Sequence, residues 1–342
     1  MKHLKYILIN ASGLICLLFI GQSCRHKSIV NTLDGGGTPY QYKECDPVDT
    51  RGTDPSRIID YYQERVCVSK PCFNPNNPDE FVYFKFVIDP AYITKQYVIH
   101  NIKTGKEFVV LDDPDISEQV KWAKSNWIVF MNRGAVLYKI KTNGDSLTQL
   151  TFCLAHYELE VSPDGKMIMA TDRYSSENKY RGDKFISIDG ERLDSTPFNN
   201  GGNGYKTWNT DNIIATCFEE ADNTYLGFLN YKTKEFKKTI QFSSSTNRNI
   251  LNGICWHPNN SEVFCCNDSS GLIKVNVNTL TSTTIKNGCY SRKYGAISVS
   301  PDGKRMLVDK TIYWFPADKK YIHYQSNIYI MDIDGKNEEK VL

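Results

Sequence analysis

From about residue 57 to residue 342 the chain is written in short apolar alternations separated by clusters of Pro, Asn, Asp and Gly. That is the period-two pattern of half-buried strands and their turns. Two recurring halves compose it. The first is an apolar or aromatic residue, a turn of the Ser-Pro-Asp-Gly or Pro-Asn-Asn kind, and a β run. It occurs as FNPNNPDEFVYF from Phe73, WAKSNWIVF from Trp122, VSPDGKMIMA from Val161, WNTDNIIATC from Trp208, WHPNNSEVFC from Trp256 and VSPDGKRMLV from Val299, at intervals of 39 to 49 residues. The second half is a hairpin with a polar turn: YVIHNIKTGKEFVVL, VLYKIKTNGDSLTQL, FISIDGERLDSTPF, LGFLNYKTKEFKKTI, LIKVNVNTLTSTTI and IYIMDIDGKNEEKVL. Each copy of the second follows one copy of the first, in order.

Repeats of this length, with four reversing strands apiece, describe antiparallel meanders whose edges would be exposed if each stood alone. Arranging the sheets around an axis buries their faces against one another. The expected fold is therefore all-β, a six-bladed β-propeller of four-stranded antiparallel blades over residues 57–342. Every repeat owns its four strands, so strand exchange between the chain ends is not required. The stretch RIIDYYQERVCV, residues 57–68, is expected to add an outer strand or a short helix that seals the ring.

VSPDGK occurs twice, at Val161–Lys166 and Val299–Lys304. Pro fixes φ near −65° and Asp-Gly accepts the positive φ of a tight reversal, so the motif reads as a turn. Ser162 and Ser300 have no Gly-x-Ser-x-Gly context that would make either a nucleophile. The residue in front, Trp or Val, is expected on the innermost strand, packed between blades. SPDGK followed by an apolar strand, with IYIMDIDG in the last repeat, resembles the TolB-type, WD40-like propeller repeat of bacterial envelope proteins. The resemblance spans about residues 65–342 and implies a propeller and an envelope location. TolB carries a second domain for which this chain has no room, so that domain's partner contacts are not implied.

The first residues, MKHLKYILINASGLICLLFIGQSC, form a basic head and an apolar run too short for a stable membrane span, which is the pattern of a secretory signal. Gly-Gln-Ser-Cys resembles a bacterial lipobox with Cys24 as the lipidated residue. Residues 1–23 are thus expected to be a lipoprotein signal peptide and residues 24–56, with GGGTP, DPVD and TDP, a flexible tether. Arg25, His26 and Lys27 after Cys24 favour a periplasm-facing outer-membrane location. A formal net charge of +2 removes the basic field that nucleic-acid binding needs.

Eleven cysteines are present. Cys67 and Cys72 are close enough in sequence for a short-loop disulfide in an oxidising compartment, whereas several others lie in apolar runs as small buried hydrophobes. Adjacent Cys265 and Cys266 are expected to point to opposite faces of a strand. His100, His156, His257 and His323 fall in different repeats at unlike positions. Asp332, Asp334 and Gly335 lack the remaining ligands of a calcium loop and read as a hairpin turn. No metal, cofactor or catalytic residue is expected.

Long aromatic connections remain as the candidate binding surface. The last repeat inserts TIYWFPADKKYIHYQSN between its second and third strands, bringing Tyr313, Trp314, Tyr321 and His323. The third inserts DRYSSENKYRGDK, bringing Tyr174, Tyr180 and Arg181. Tyr157, Tyr205 and Tyr294 are expected on the same face, where the inner strands begin. Aromatic and Arg side chains are the usual anchors of a macromolecular contact. The expected function is a lipid-anchored envelope module binding a protein or glycan. The alternative is an envelope lyase or hydrolase acting on polysaccharide or peptide from the axial funnel, recognisable by two carboxylates or three metal ligands lining that funnel.

Overall fold

The computed structural model describes residues 65–88, 92–152, 156–172, 183–195, 205–220, 223–243, 251–267, 271–288, 292–314 and 323–342. The expected signal peptide, tether and Cys24 lie outside the described residues.

Blade 1 consists of β1 (Arg65–Asn74), β2 (Asn77–Ile88), β3 (Ile93–Asn101) and β4 (Glu107–Asp112). Blade 2 has β5 (Ile116–Ala123), β6 (Trp127–Asn132), β7 (Leu137–Lys141) and β8 (Thr148–Gln149). Blade 3 has β9 (His156–Val161), β10 (Met167–Asp172), β11 (Asp183–Ser187) and β12 (Arg192–Ser195). Blade 4 has β13 (Lys206–Trp208), β14 (Ile213–Glu220), β15 (Asn223–Asn230) and β16 (Phe236–Ser243). Blade 5 has β17 (Leu251–Trp256), β18 (Glu262–Asn267), β19 (Gly271–Asn276) and β20 (Thr281–Lys286). Blade 6 has β21 (Arg292–Val299), β22 (Arg305–Trp314), β23 (His323–Asp332) and β24 (Glu339–Lys340). Each blade is a four-stranded antiparallel sheet in chain order, and the ring is a six-bladed β-propeller.

The core is divided among the joints of the ring. One apolar cluster joins β2, β3 and β1 to β5 and β6 through Phe84, Tyr97, Trp122 and Phe130. The next joints are built on Val129 with Ile168, Phe185 with Trp208, Phe228 with Trp256, and Phe264 with Met306. Val68, Phe73, Phe81 and Tyr83 pack with Leu307, Ile328 and Ile330, joining blade 1 to blade 6. Every blade thus buries one face on its predecessor and the other on its successor. Cys265 belongs to the blade 4–5 joint and Cys266 to the blade 5–6 joint, on opposite faces as the strand pleat requires.

The residues that mark the repeats, Phe73, Trp122, Val161, Trp208, Trp256 and Val299, all lie on the innermost strands and are 4–8% exposed. The turn behind them follows the sequence closely. In blade 3 the Ser162 hydroxyl bonds Asp164 Oδ1 (2.6 Å) and accepts the Met167 N–H (2.9 Å), while Asp164 accepts the Lys166 N–H (3.0 Å). Blade 6 repeats this with Ser300, Asp302, Lys304 and Arg305. Burial works against both carboxylates, yet the Ser hydroxyl and the backbone N–H outweigh it and hold Asp164 and Asp302 below the usual range. Ser162 and Ser300 are buried turn acceptors, 5% and 0% exposed. Gly165 and Gly303 take positive φ of 74° and 70°, and Asn126, Asn212 and Asn260 take it at the same step of their blades.

The ring closes without strand exchange. Across the joint the Phe73 N–H donates to Ser298 Oγ at 3.0 Å, the Lys70 N–H to Asp309 Oδ2 at 3.3 Å, and Arg305 Nη2 reaches Pro78 O at 2.8 Å and Asp79 Oδ1 at 3.1 Å. Residues 65–68 do not form the expected outer strand or helix: they open β1, the innermost strand of blade 1, because Cys67 and Val68 are apolar on opposite faces and fill the joints on either side. Cys67 and Cys72 are not joined in a disulfide: Cys67 packs in the blade 1–2 core and Cys72 lines the axis.

Candidate functional site

The inner strands enclose a polar axis whose side chains fall into two layers. Three positions before each repeat mark stand Lys70, Gln119, Glu158, Tyr205, Gly253 and Ala296, all lining one axial cavity of about 50 Å³. One position before each mark stand Cys72, Lys121, Glu160, Thr207, Cys255 and Ser298. Neighbours along a strand alternate faces, so the two positions share the face opposite the intervening residue.

The lower layer links blades. The Trp122 N–H donates to Cys72 Sγ (3.4 Å), the Trp256 N–H to Thr207 Oγ1 (3.4 Å), the Val299 N–H to Cys255 Sγ (3.4 Å) and the Phe73 N–H to Ser298 Oγ (3.0 Å). Blades 2 and 3 instead place a charge pair there, Lys121 to Glu160 at 2.6 Å. Burial acts to lower Lys121, but Glu160 and Cys72 outweigh it and keep the ammonium above its ordinary range. Burial pushes the Cys72 thiol up, and Cys255 up to about 12.

In the upper layer Lys70 Nζ bonds the Tyr205 hydroxyl at 3.0 Å and lies 4.4 Å from its ring centroid. Lys206, which follows Tyr205 and begins β13, reaches Asp183 Oδ1 at 2.9 Å and Thr171 Oγ1 at 2.7 Å. Burial opposes the charge on both lysines, but Tyr205, Glu118 and Asp309 hold Lys70 above its ordinary range, and Asp183 and Glu158 do so for Lys206. Burial pushes the Glu158 carboxyl above the carboxylate range, against the pull of Lys206 and Lys70. Its Oε2 is buried with no hydrogen-bond partner.

Tyr205 and Tyr294 are expected on the front face, the side on which the inner strands begin. Tyr205 stands directly before β13 and lines the axial cavity. Tyr294 is 0% exposed in the blade 5–6 core, because β21 carries a bulge between Tyr294 and Ile297 that shifts its facing. Tyr313 and Trp314 end β22 and pair in register with Tyr324 and His323 of β23, so Tyr313, Trp314 and His323 share one hairpin end. Tyr157 lies at the start of β9. Tyr174, Tyr180, Arg181 and Tyr321 lie outside the described residues.

His100 stacks on Phe81 (5.2 Å) beside Glu107 (3.5 Å), and His257 bonds Gly303 O (3.0 Å), in separate blades. Among the described residues no group of three or more His, Cys, Asp or Glu is arranged to hold a metal ion.

No family model and no curated protein matches the sequence. Solved structures do match. A protein described as TolB from Agrobacterium tumefaciens is 16% identical with a TM-score of 0.55, covering 71% of this chain and 86% of that one. The likeness is one of fold. A chain of a nidogen/laminin complex gives a TM-score of 0.53 at 10% identity, covering 72% and 89% of the two chains. An acylaminoacyl peptidase from Pyrococcus horikoshii gives 0.51 at 13%, with 81% of this chain covering 52% of that one. An oligogalacturonate lyase in complex with manganese gives 0.50 at 10%, covering 80% and 78%.

Proposed function

We propose that the chain is a binding module of the bacterial cell envelope, lipid-anchored through Cys24 on the periplasmic side of the outer membrane, that holds a protein or glycan against its front face. The axis carries this reading. Its cavity of about 50 Å³ is far below the roughly 300–1,000 Å³ of a substrate pocket, so recognition falls to the rim. The groups available there are also tuned away from nucleophilic work. Lys70, Lys121 and Lys206 are held as ammonium ions, and Cys72 and Cys255 as thiols. The front face supplies the alternative: blade 6 extends β22 and β23 to ten residues each and sets Tyr313, Trp314 and His323 at their end. Tyr157, Tyr174, Tyr180, Arg181 and Tyr321 are assigned to the same surface. The fold shared with TolB and with a chain of the nidogen/laminin complex fits a role in joining macromolecules.

Crosslinking in intact cells followed by mass spectrometry tests this. The native chain is expected to give defined envelope adducts that a Trp314→Ala, Tyr321→Ala double substitution loses; identical adducts in both would refute the surface.

One observation favours an enzyme instead. Two carboxylates, Glu158 and Glu160, line the funnel, Glu160 paired with Lys121 at 2.6 Å and Glu158 pushed up by burial toward the acid form that a proton donor needs. The fold shared with oligogalacturonate lyase and acylaminoacyl peptidase accords with it. Product release from oligogalacturonate or acylated peptides by the purified chain, abolished by Glu158→Gln, would establish that reading over the first.

A further inference from the structure

The axial cavity is asymmetric. Blades 1–4 send Lys70, Gln119, Glu158 and Tyr205 toward the axis, whereas blades 5 and 6 send Gly253 and Ala296. A side chain at Gly253 would meet Gly295 O at 2.5 Å and Ala296 Cα at 3.0 Å, so blade 5 cannot fill the space from that position. The resulting room of about 50 Å³ accommodates roughly three to five water-sized atoms at about 10–15 Å³ each.

Among the described residues, the lysines of the walls keep N–H donors that their hydrogen bonds and ion pairs do not use. An ammonium carries three N–H donors. Lys70 Nζ spends one on the Tyr205 hydroxyl, Lys121 one on Glu160, and Lys206 two on Asp183 and Thr171. Two donors are left on Lys70, two on Lys121 and one on Lys206. Three lysines against two glutamates give the lining a formal charge of +1. Lys121 and Lys206 each contact a carboxylate, but the group against Lys70 is a neutral phenol. On the Lys70 ammonium Glu118 and Asp309 act as neighbouring charges.

We propose that this cavity binds a small carboxylate, seated on the Lys70 ammonium and sharing a proton with the buried, unpartnered Glu158 Oε2. The ligand supplies the acceptors that the lysines lack, and Glu158 Oε2 gains its missing partner. Binding takes up a proton, because the incoming charge further favours the neutral carboxyl of Glu158. The groups facing Glu158 are Lys206 and Tyr205 from blade 4, Lys70 from blade 1, Lys121 from blade 2, Asp183 on β11 and Glu160 on its own strand. Blades 5 and 6 line the cavity only with Gly253, Ile254, Ala296 and Ile297, none of them ionisable. Neither the aromatic surface nor its partner enters this inference.

Titration calorimetry of the full chain with sodium acetate or D-glucuronate, in sulfate medium at pH 6 and pH 8, tests it. A single site is expected, weakening by up to about tenfold per pH unit as Glu158 ionises. Lys70→Met weakens it about tenfold or more, and Glu158→Gln retains binding without the pH dependence, each variant first checked for a native melting transition. Proton uptake from unbuffered solution on adding acetate needs no variant and is expected to grow as the starting pH rises through the Glu158 pKa, with one per ligand as its ceiling. Acetate, of four heavy atoms, matches the room; D-glucuronate, of thirteen, exceeds it and is the size control, expected to bind more weakly or not at all. Absence of acetate binding, unaltered binding in Lys70→Met, or no proton uptake would overturn the assignment.

Discussion

Replacing Phe73 by Ala probes the joint between the first and last blades. Phe73 is 4% exposed, in a cluster that also holds Val68, Phe81 and Tyr83 from blade 1 and Leu307, Ile328 and Ile330 from blade 6. Truncating a buried phenylalanine removes its transfer free energy and leaves a cavity, together about 3–5 kcal/mol. At roughly 2–4 °C per kcal/mol for a domain of this size class, the melting temperature falls by about 6–20 °C. The Phe73 N–H keeps its bond to Ser298 Oγ, so the loss reports packing alone. Trp208→Ala in blade 4 is the internal standard. Trp208 packs edge-on to Phe185 at 5.4 Å and to Tyr231 at 5.1 Å, within a joint continuous in sequence. Urea unfolding followed by tryptophan and tyrosine emission gives both costs, and they are expected to agree within about 1 kcal/mol. A loss below about 1 kcal/mol for Phe73→Ala beside a full loss for Trp208→Ala would mean that the terminal blades merely abut.

Three further outcomes follow from the axis. Lys121→Met leaves Glu160 without its ion-pair partner and is expected to lower stability by about 3 kcal/mol, most of it regained in Lys121→Met, Glu160→Gln, as read by urea midpoints. The Glu158 pKa is raised above its ordinary 4.5, so stability is intact below that value and declines as pH rises through the folded-state pKa; Glu158→Gln should raise the melting temperature at pH 8 and leave it unchanged at pH 4. With Cys255 pushed up to about 12 and Cys217, Cys265 and Cys266 raised by burial, iodoacetamide at pH 8 should label those peptides only after unfolding; labelling of the native chain would contradict their burial.

Much of the architecture was legible because the repeat marks and their turns are local. The apolar residue before each reversal, and the Asp-Gly or Asn that permits positive φ, act over about five residues and are visible in Val161–Lys166 and Val299–Lys304. The axial site was not legible, since Lys70 meets Tyr205 across 135 residues of chain. A signal did exist: counting one and three positions back from each repeat mark yields both axial layers. Tyr294 was misplaced because the β21 bulge breaks the alternation on which facing is read, and no turn residue announces it. Residues 65–68 differ from expectation for a related reason: the first repeat mark is Phe73, and the inner strand that leads to it already includes Arg65.

Hydrogen exchange followed by mass spectrometry on the native chain tests the closed ring most directly. The account predicts that β1 and β21, at the joint between blades 6 and 1, are as slowly exchanging as β9 and β13 in the middle of the sequence. Rapid exchange confined to β1 and β21, with the other inner strands protected, would show an open ring and contradict the axial site built on it.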